Sequence, residues 1–195
     1  MVLRVFIISI VIFLSLSAEY LVELHDSKNV YSVNKGVSYF EDIQARLKVD
    51  DIIKDEINFS TLHNNELNFG FTSSVYWLKI KLLNQNKNNR TQWWMDIDYS
   101  LLDDIQIYQH IHNQLDLLLH TGNTKIFSRR DIKWRTYSTI LDTTESSTVY
   151  IRVQTQSAMK IPVKIYSSSH IAKVKQGETL FYGFFLWSTS PCDFL

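Results

Sequence analysis

Alternating apolar and polar positions dominate the chain from about residue 75 onward. In the segment VYWLKIKLL one set of alternate positions is apolar, Tyr76, Leu78, Ile80 and Leu82, and the other set is Trp77, Lys79 and Lys81. Because neighbouring side chains of a strand point to opposite faces, a period of two predicts a half-buried strand. We expect the apolar set to face the core.

Similar patterns predict further strands at 93–99, at 105–111 paired with 115–120 around His112, and at 132–141, 148–154 and 161–166. The polar segment NQNKNNR, 84–90, is predicted to be a hairpin loop, because asparagine side chains bond to their own backbone and tolerate left-handed conformations. Short strands at regular spacing predict an all-β fold, a β-sandwich or jelly roll.

Two segments indicate helices. VDDIIKDE, 49–56, has acidic residues in its first turn, which suit the positive end of a helix dipole. An apolar helix is also indicated from Leu180, but the apolar run ends at Trp187. A helix needs about twenty apolar residues to cross a bilayer, so this run is too short.

Residues 1–18 have the layout of a secretory signal peptide. Arg4 precedes an apolar run from Val5 to Leu16, and the small residues Ser17 and Ala18 follow. We expect cleavage there and export, because the run is too short for a spanning helix. A buried N-terminal strand and an uncleaved anchor are the alternatives.

The composition limits the classes of function. Twenty basic and twenty acidic side chains leave no net charge, so the sequence predicts no nucleic-acid partner. Hydrophobic residues make up 45% of the 195 positions, with five glycines and two prolines, which is typical of a packed globular domain. A single cysteine, Cys192, allows no internal disulfide, and an exported chain of this kind suits a bacterial periplasm.

Metal binding and catalysis have weak sequence support. His110 and His112 share a strand face, and His120 or Asp116 could reach them from the neighbouring strand as a third ligand. Exposed polar positions on a hairpin explain the pair equally well, so we expect no metal and no cofactor. Asp96 and Asp98 also share a face and could form a glycosidase pair, but a solvated face beside Lys79 is the simpler interpretation. The sequence contains no nucleophile elbow, phosphate loop or zinc-protease helix, so we predict no enzyme.

Aromatic and arginine residues are the better candidates for binding. Adjacent Trp93 and Trp94 must point to opposite faces, so one of them lies outside the main core, and Trp77 poses the same question. An exposed aromatic ring can stack on a sugar or fill an apolar pocket, although Trp94 could equally pack beneath a loop or against another domain. The tentative ligand-binding set combines such rings with arginines: Trp77, Trp94, Arg129, Arg135 and Arg152. The first two arginines could instead tie their loop to Asp131 and its neighbours.

Several stretches together resemble one family, the type 2 extracellular sensing domain of bacterial seven-transmembrane receptors with diverse intracellular signalling modules. In chain order the matching segments are YFED at 39–42, LNFGF at 67–71, VYWLKI at 75–80, WWMDIDY at 93–99, LLD at 101–103, IY at 107–108 and TVYIRVQ at 148–154, together with Asn84, Gly122, Arg129, Arg135, Ser157 and Pro162. The resemblance covers about 30–168 of the chain.

The resemblance implies a periplasmic jelly roll, similar to carbohydrate-binding modules, that senses a small-molecule or carbohydrate ligand and signals through seven membrane helices. It implies no particular ligand residues. We therefore expect a signal peptide at 1–18, a sensing domain at 19–170, and the truncated start of a membrane region at 171–195.

The last residues, STSPCDFL, depart from the family pattern. We expect a truncated or frameshifted receptor fragment whose membrane association depends on the missing seven-helix region. Its location would be the periplasm, or the inner membrane facing the periplasm if the signal stays uncleaved. A stand-alone periplasmic carbohydrate-binding protein is the alternative, and a homodimer is left open.

Overall fold

The computed structural model describes residues 21–33, 37–54, 57–62, 66–86, 91–130 and 132–189, with side chains as far as 182 and without that of Arg129. The predicted signal peptide and the last six residues lie outside these ranges. The strands are β1 (Leu21–Leu24), β2 (Val30–Ser32), β3 (Ser38–Asp42), β4 (Ser60–Thr61), β5 (Asn68–Phe71), β6 (Val75–Asn84), β7 (Trp93–Ile97), β8 (Asp104–Ile111), β9 (Gln114–Thr121), β10 (Tyr137–Leu141), β11 (Ser147–Gln154), β12 (Ala158–Lys160) and β13 (Val163–Ser167). The helices are α1 (Val49–Ile52) and α2 (Ser168–Thr189), with a 3-10 turn at Phe127–Arg129.

Two sheets pack face to face, which confirms the predicted all-β sandwich. The larger sheet has the order β4-β3-β6-β11-β8-β9, with β1 added in parallel beside β6. The smaller sheet has the order β10-β7-β13-β2, and β12 and β5 form a separate ribbon. The facing side chains of both sheets form one core that includes Leu78, Ile80, Met95, Ile151 and Ile165.

Strand β6 occupies the middle of the larger sheet and confirms the predicted alternation. Its apolar set, Tyr76, Leu78, Ile80 and Leu82, belongs to the core between the sheets. The opposite face of β6 carries Trp77, which is also buried, because the segment from Phe40 to Phe59 packs over it as a second apolar cluster. The outer face of the larger sheet is therefore only partly open to solvent.

Three sequence predictions about local structure are wrong in detail. Segment 84–90 does not close a hairpin, because β6 and β7 belong to different sheets; residues 87–90 lie outside the described ranges. The strand predicted from Ile132 begins at Tyr137. The helix predicted at 49–56 is helical over Val49–Ile52 and then turns, with 55–56 outside the described ranges.

The β8–β9 hairpin is confirmed. The two strands pair antiparallel, with Ile111 opposite Gln114. His112 in the connecting turn has a left-handed backbone, with φ of 52°. The hairpin turn therefore falls where the polar residues 112–114 predicted it.

Helix α2 begins directly after β13 and runs from Ser168 to Thr189, well before the apolar start predicted at Leu180. It crosses the domain boundary expected at residue 170. Its early residues mix polar and apolar types, which hides the helix from a search for apolar runs. Within the described residues, no helix combines the length and apolar character that a membrane crossing requires.

Candidate functional site

The outer face of the larger sheet contains a depression of about 400 Å³, called the notch below. One wall is the segment 45–50 at the start of α1, and the other is formed by outward side chains of three adjacent strands: Trp77, Gln106, Tyr108 and Arg152. The strand register explains this grouping, because Arg152 on β11 lies opposite Trp77 on one side and Gln106 on the other. The notch is thus the part of this face that the segment over β6 leaves uncovered.

Arg152 is held in place by a polar network at the edge of the notch. Its side chain is 15% exposed, and its Nη1 donates to Oδ2 of Asp104 at 2.9 Å. Its Nη2 donates to Oε1 of Gln154 at 3.2 Å. Asp104 also pairs through Oδ1 with His120 at 2.9 Å and with Lys125 at 3.2 Å. One carboxylate is therefore shared by Arg152, Lys125 and a histidine.

The shared carboxylate is stabilised in its charged form. Burial is the largest single influence and raises the pKa of Asp104, but the hydrogen bonds and charges of His120 and Lys125 outweigh it, so the pKa lies below its usual value. Asp104 stays ionised at neutral pH. The guanidinium of Arg152 consequently has a fixed orientation at the edge of the notch.

Two aromatic rings form the base of the notch. Trp77 and Tyr108 stack with ring centroids 6.4 Å apart, and the Tyr108 hydroxyl donates to Oε1 of Gln106 at 2.6 Å. Trp77 is 0% exposed, so its ring cannot serve as the open stacking platform that the sequence suggested. Tyr108 is partly exposed and is the accessible ring. Sequence reasoning missed it because it lies in an ordinary alternating strand.

A second depression, of about 480 Å³, lies between β9 and the loop 122–130. Arg130 lines it, donates from Nη2 to the carbonyl of Gly122 at 3.0 Å, and lies over the rings of Tyr137 and Phe127 at 4.7 and 5.1 Å. Arg129 lies in the neighbouring 3-10 turn. Its side chain is outside the described part of the structure, as is Asp131.

The smaller sheet carries a buried polar cluster on its outer face, called the joint below, where α2 packs. Lys175 of α2 is 5% exposed and donates from Nζ to Oδ2 of Asp96 at 3.2 Å and to Oγ1 of Thr136 at 2.7 Å. Asp96 is 2% exposed and also accepts hydrogen bonds from Thr136 at 2.6 Å and from Ser138. The interpretation of Asp96 as part of a solvated face beside Lys79 is wrong, because α2 covers it.

Trp94 and Arg135 lie around the joint. The indole N–H of Trp94 donates to Oγ of Ser168 at 3.0 Å, at the start of α2. Arg135 pairs with Asp98 at 2.7 Å, and its guanidinium lies 5.9 Å from the ring of Tyr182. Both side chains thus contact α2 or the strand beneath it. The five tentative ligand residues separate into Trp77 and Arg152 at the notch, Trp94 and Arg135 at the joint, and Arg129 apart.

His112, His120 and the paired aspartates are used in other contacts. His112 pairs with Glu145 at 2.6 Å, and the described residues contain no cluster of three metal-ligating side chains. Asp96 lies beneath α2 and Asp98 pairs with Arg135. A substrate in solution therefore has no access to the Asp96 carboxylate.

The structure defines a β-sandwich domain with a notch on one sheet and a helix fixed to the other. The model of the family described as 7TMR-DISM extracellular 2 matches residues 34–167, and the chain belongs to this family. Membership places it among the extracellular sensing domains of receptors. The family resemblance read from the sequence is confirmed.

Among solved structures, a β-glucuronidase of Ruminococcus gnavus matches with a TM-score of 0.49 and 7% identity over 75% of this chain and 30% of the enzyme. A β-glucuronidase of the same organism in complex with D-glucaro 1,5-lactone matches with a TM-score of 0.43 and 8% identity, over 75% and 31% of the two chains. The chain thus spans less than a third of those enzymes, and nothing about its activity follows from them. No curated protein matches the sequence.

Proposed function

We propose that this chain is the periplasmic, non-catalytic ligand-sensing domain of a bacterial membrane receptor, and that α2 carries the state of the sandwich toward the membrane. Membership of a family of extracellular receptor domains supports the sensing role. The observation that carries the proposal is the joint, where Lys175 fixes α2 to Asp96 in the smaller sheet.

The joint suits a mechanical connection. Helix α2 follows β13 with no intervening loop, and β13 pairs with β7, the strand that carries Asp96. A shift of β13 would therefore displace the first residue of the helix, and a shift of β7 would displace Lys175. Packed interfaces of this kind tend to change between discrete arrangements, which is what a signalling element requires.

The buried ion pair also gives the helix a defined position. Removing a charge from water is costly, and a buried pair is stable when further hydrogen bonds satisfy both partners. Thr136 and Ser138 supply those bonds to Asp96, and Thr136 accepts a bond from Lys175. If α2 rotated or slid, this set would be broken, so the helix has one preferred register on the sheet.

Hydrogen exchange tests the connection. In the expressed chain we expect Lys175→Met to raise the exchange rates of amides 168–179 while leaving those of β11 in the larger sheet unchanged. Lys173→Met, an exposed change on the same helix, is the matched control. Equal protection of α2 in the parent and in Lys175→Met would remove the proposed link between the sheet and the helix.

Export is tested separately. We expect the chain to be recovered in the periplasmic fraction of an expressing bacterium, with the apolar run at 5–16 replaced by alternating serine and asparagine as the control that stays inside. Cytoplasmic retention of the parent would contradict the periplasmic location.

A further inference from the structure

The notch contains more positive than negative charge. Its lining includes three cationic side chains, those of Arg46, Lys48 and Arg152, and one carboxylate, that of Asp50. The side chains of Arg46 and Lys48 are exposed, and neither forms an ion pair with a residue that the structure describes. A cluster of cations around a concave surface attracts an anion and disfavours a cationic ligand.

Arg152 is the best-ordered of these cations. It is 15% exposed and is fixed by Asp104 and Gln154, which use part of its set of N–H donors. The remaining donors point from a planar group that matches a carboxylate in shape. Because the orientation is already fixed, binding an anion there requires little further ordering of the side chain.

The base of the notch adds a surface for a ring. Tyr108 is partly exposed and is backed by Trp77, so it presents a flat and rigid wall. Among the described residues, the buried indole Nε1 of Trp77 has no hydrogen-bond partner, which is uncommon for a buried donor. A planar aromatic wall beside fixed polar groups is typical of small-molecule sites.

The backbone at the mouth of the notch is strained. Ala45 has a φ of 53°, in the left-handed region that residues with a Cβ atom rarely adopt. Such strain is often found at sites that bind ligands. The strained residue, the indole N–H that has no partner among the described residues and the excess of cations all occur around one depression.

We propose that the notch binds a small organic anion that has a carboxylate attached to a ring, with the carboxylate at Arg152, Arg46 and Lys48 and the ring against Tyr108. The volume of about 400 Å³ falls within the range of known small-molecule sites, roughly 300–1,000 Å³. This inference rests on the proposed sensing function, which requires a ligand. It adds the site and the chemical class of that ligand.

The depression beside β9 is a weaker candidate for the same ligand. Two of its cationic side chains, Lys125 and His120, already pair with Asp104. Arg130 is bound to the Gly122 carbonyl and lies over two aromatic rings. Its charges are therefore largely used within the protein, whereas Arg46 and Lys48 of the notch are not.

The test is a titration of the isotope-labelled expressed chain, monitored by NMR at the indole N–H signal of Trp77. This signal is assigned as the one that disappears in the Trp77→Phe variant. The probes are two matched pairs, D-galacturonate with D-galactose and benzoate with benzamide, together with inorganic phosphate. We expect at least one carboxylate to shift the signal saturably, while its neutral partner binds at least about tenfold more weakly, as expected for the loss of a charge-assisted hydrogen bond.

Two variants and one control assign the binding to the notch. Arg152→Gln should weaken the carboxylate at least about tenfold. The double change Arg46→Gln with Lys48→Gln alters only exposed side chains, so this variant should fold even if the Arg152→Gln variant does not. Its affinity for the carboxylate should fall several-fold. Arg135→Gln makes the same charge change just before β10 of the other sheet, and this variant should bind like the parent.

Several results would overturn the inference. If the neutral partners bound as tightly as the carboxylates, the notch would not recognise the negative charge. If phosphate bound as tightly as either carboxylate, the ring would not contribute to binding. No saturable shift with any carboxylate, or unchanged affinity in both the single and the double variant, would exclude the notch as the site. The joint lies on the smaller sheet and the notch on the larger one, so Lys175→Met should still bind the carboxylate. Failure of the ligand site and failure of the sheet-to-helix link are therefore separately observable.

Discussion

Nζ of Lys175 lies 3.2 Å from Oδ2 of Asp96, although the two residues are 79 positions apart in the chain. Both side chains are almost fully buried. The contact joins the helix that follows the last strand to the middle of the smaller sheet. Two further side chains contact the same helix: Trp94 donates a hydrogen bond to Ser168 at its start, and Arg135 lies over the ring of Tyr182 further along it.

Removing one member of this pair should destabilise the domain. Lys175→Met keeps the length of the side chain but leaves the buried Asp96 carboxylate without a counter-charge, and such a change typically costs about 3–5 kcal/mol. Urea denaturation of the parent and the variant measures the difference.

Two further variants make this measurement specific. Asp96→Asn combined with Lys175→Met should recover a large part of the loss, because no unpaired charge is then buried. Lys173→Met, on the exposed side of α2, should change the free energy of unfolding by no more than about 0.5 kcal/mol. If Lys173→Met and Lys175→Met had similar effects, the buried pair would not be what holds the helix.

Asp104 should make the stability of the domain depend on acid pH. Its pKa in the folded chain is lowered, so the unfolded chain binds the proton more tightly. Its contribution is therefore fully present above the unfolded value, about 3.9, and is lost as the pH falls through the lower, folded value. We expect the free-energy difference between the parent and Asp104→Asn to be greatest near pH 7 and to shrink below about pH 4.

Urea unfolding of both proteins from pH 7 to about pH 2.5 checks this expectation. Asp116→Asn is a suitable control, because this exposed carboxylate forms no ion pair with a described residue. A difference between parent and Asp104→Asn that stays constant across the range would mean that the carboxylate is not stabilised by its cationic neighbours.

The sequence predicted the sandwich because its strands carry a local signal. The alternation in β6 correctly placed Leu78 and Ile80 in the core, and polar residues around His112 marked the β8–β9 turn. Such a signal depends only on neighbours in the chain. It could not show which sheet a strand joins, so the polar segment between β6 and β7 was taken for a hairpin, although these strands belong to different sheets.

The functional surfaces were harder to predict because distant segments cover them. Asp96 follows the pattern of an outward strand position, and only the packing of α2, far along the chain, buries it. Trp77 is likewise buried by other residues: the segment that packs over β6 contains the short helix α1 and has no strong pattern of its own. Arg152 was among the candidate ligand residues, but its neighbour Tyr108 was recognised only once the register of β8 and β11 was known.

Two glycines should respond to alanine in opposite directions. Gly122 has a φ of 148°, and a Cβ atom there would lie 2.0 Å from the carbonyl oxygen of Asp103, so Gly122→Ala must displace the backbone of the loop. We expect a loss of more than about 1 kcal/mol of unfolding free energy.

Gly177 lies within α2, and a Cβ atom there meets nothing within 4 Å. Gly177→Ala should therefore stabilise the chain by about 0.5–1 kcal/mol, because alanine is the better helix former. Thermal and urea unfolding of both variants provide the measurement. A gain from Gly122→Ala would show that the loop does not approach Asp103 so closely, and a loss from Gly177→Ala would contradict a well-formed helix at that position.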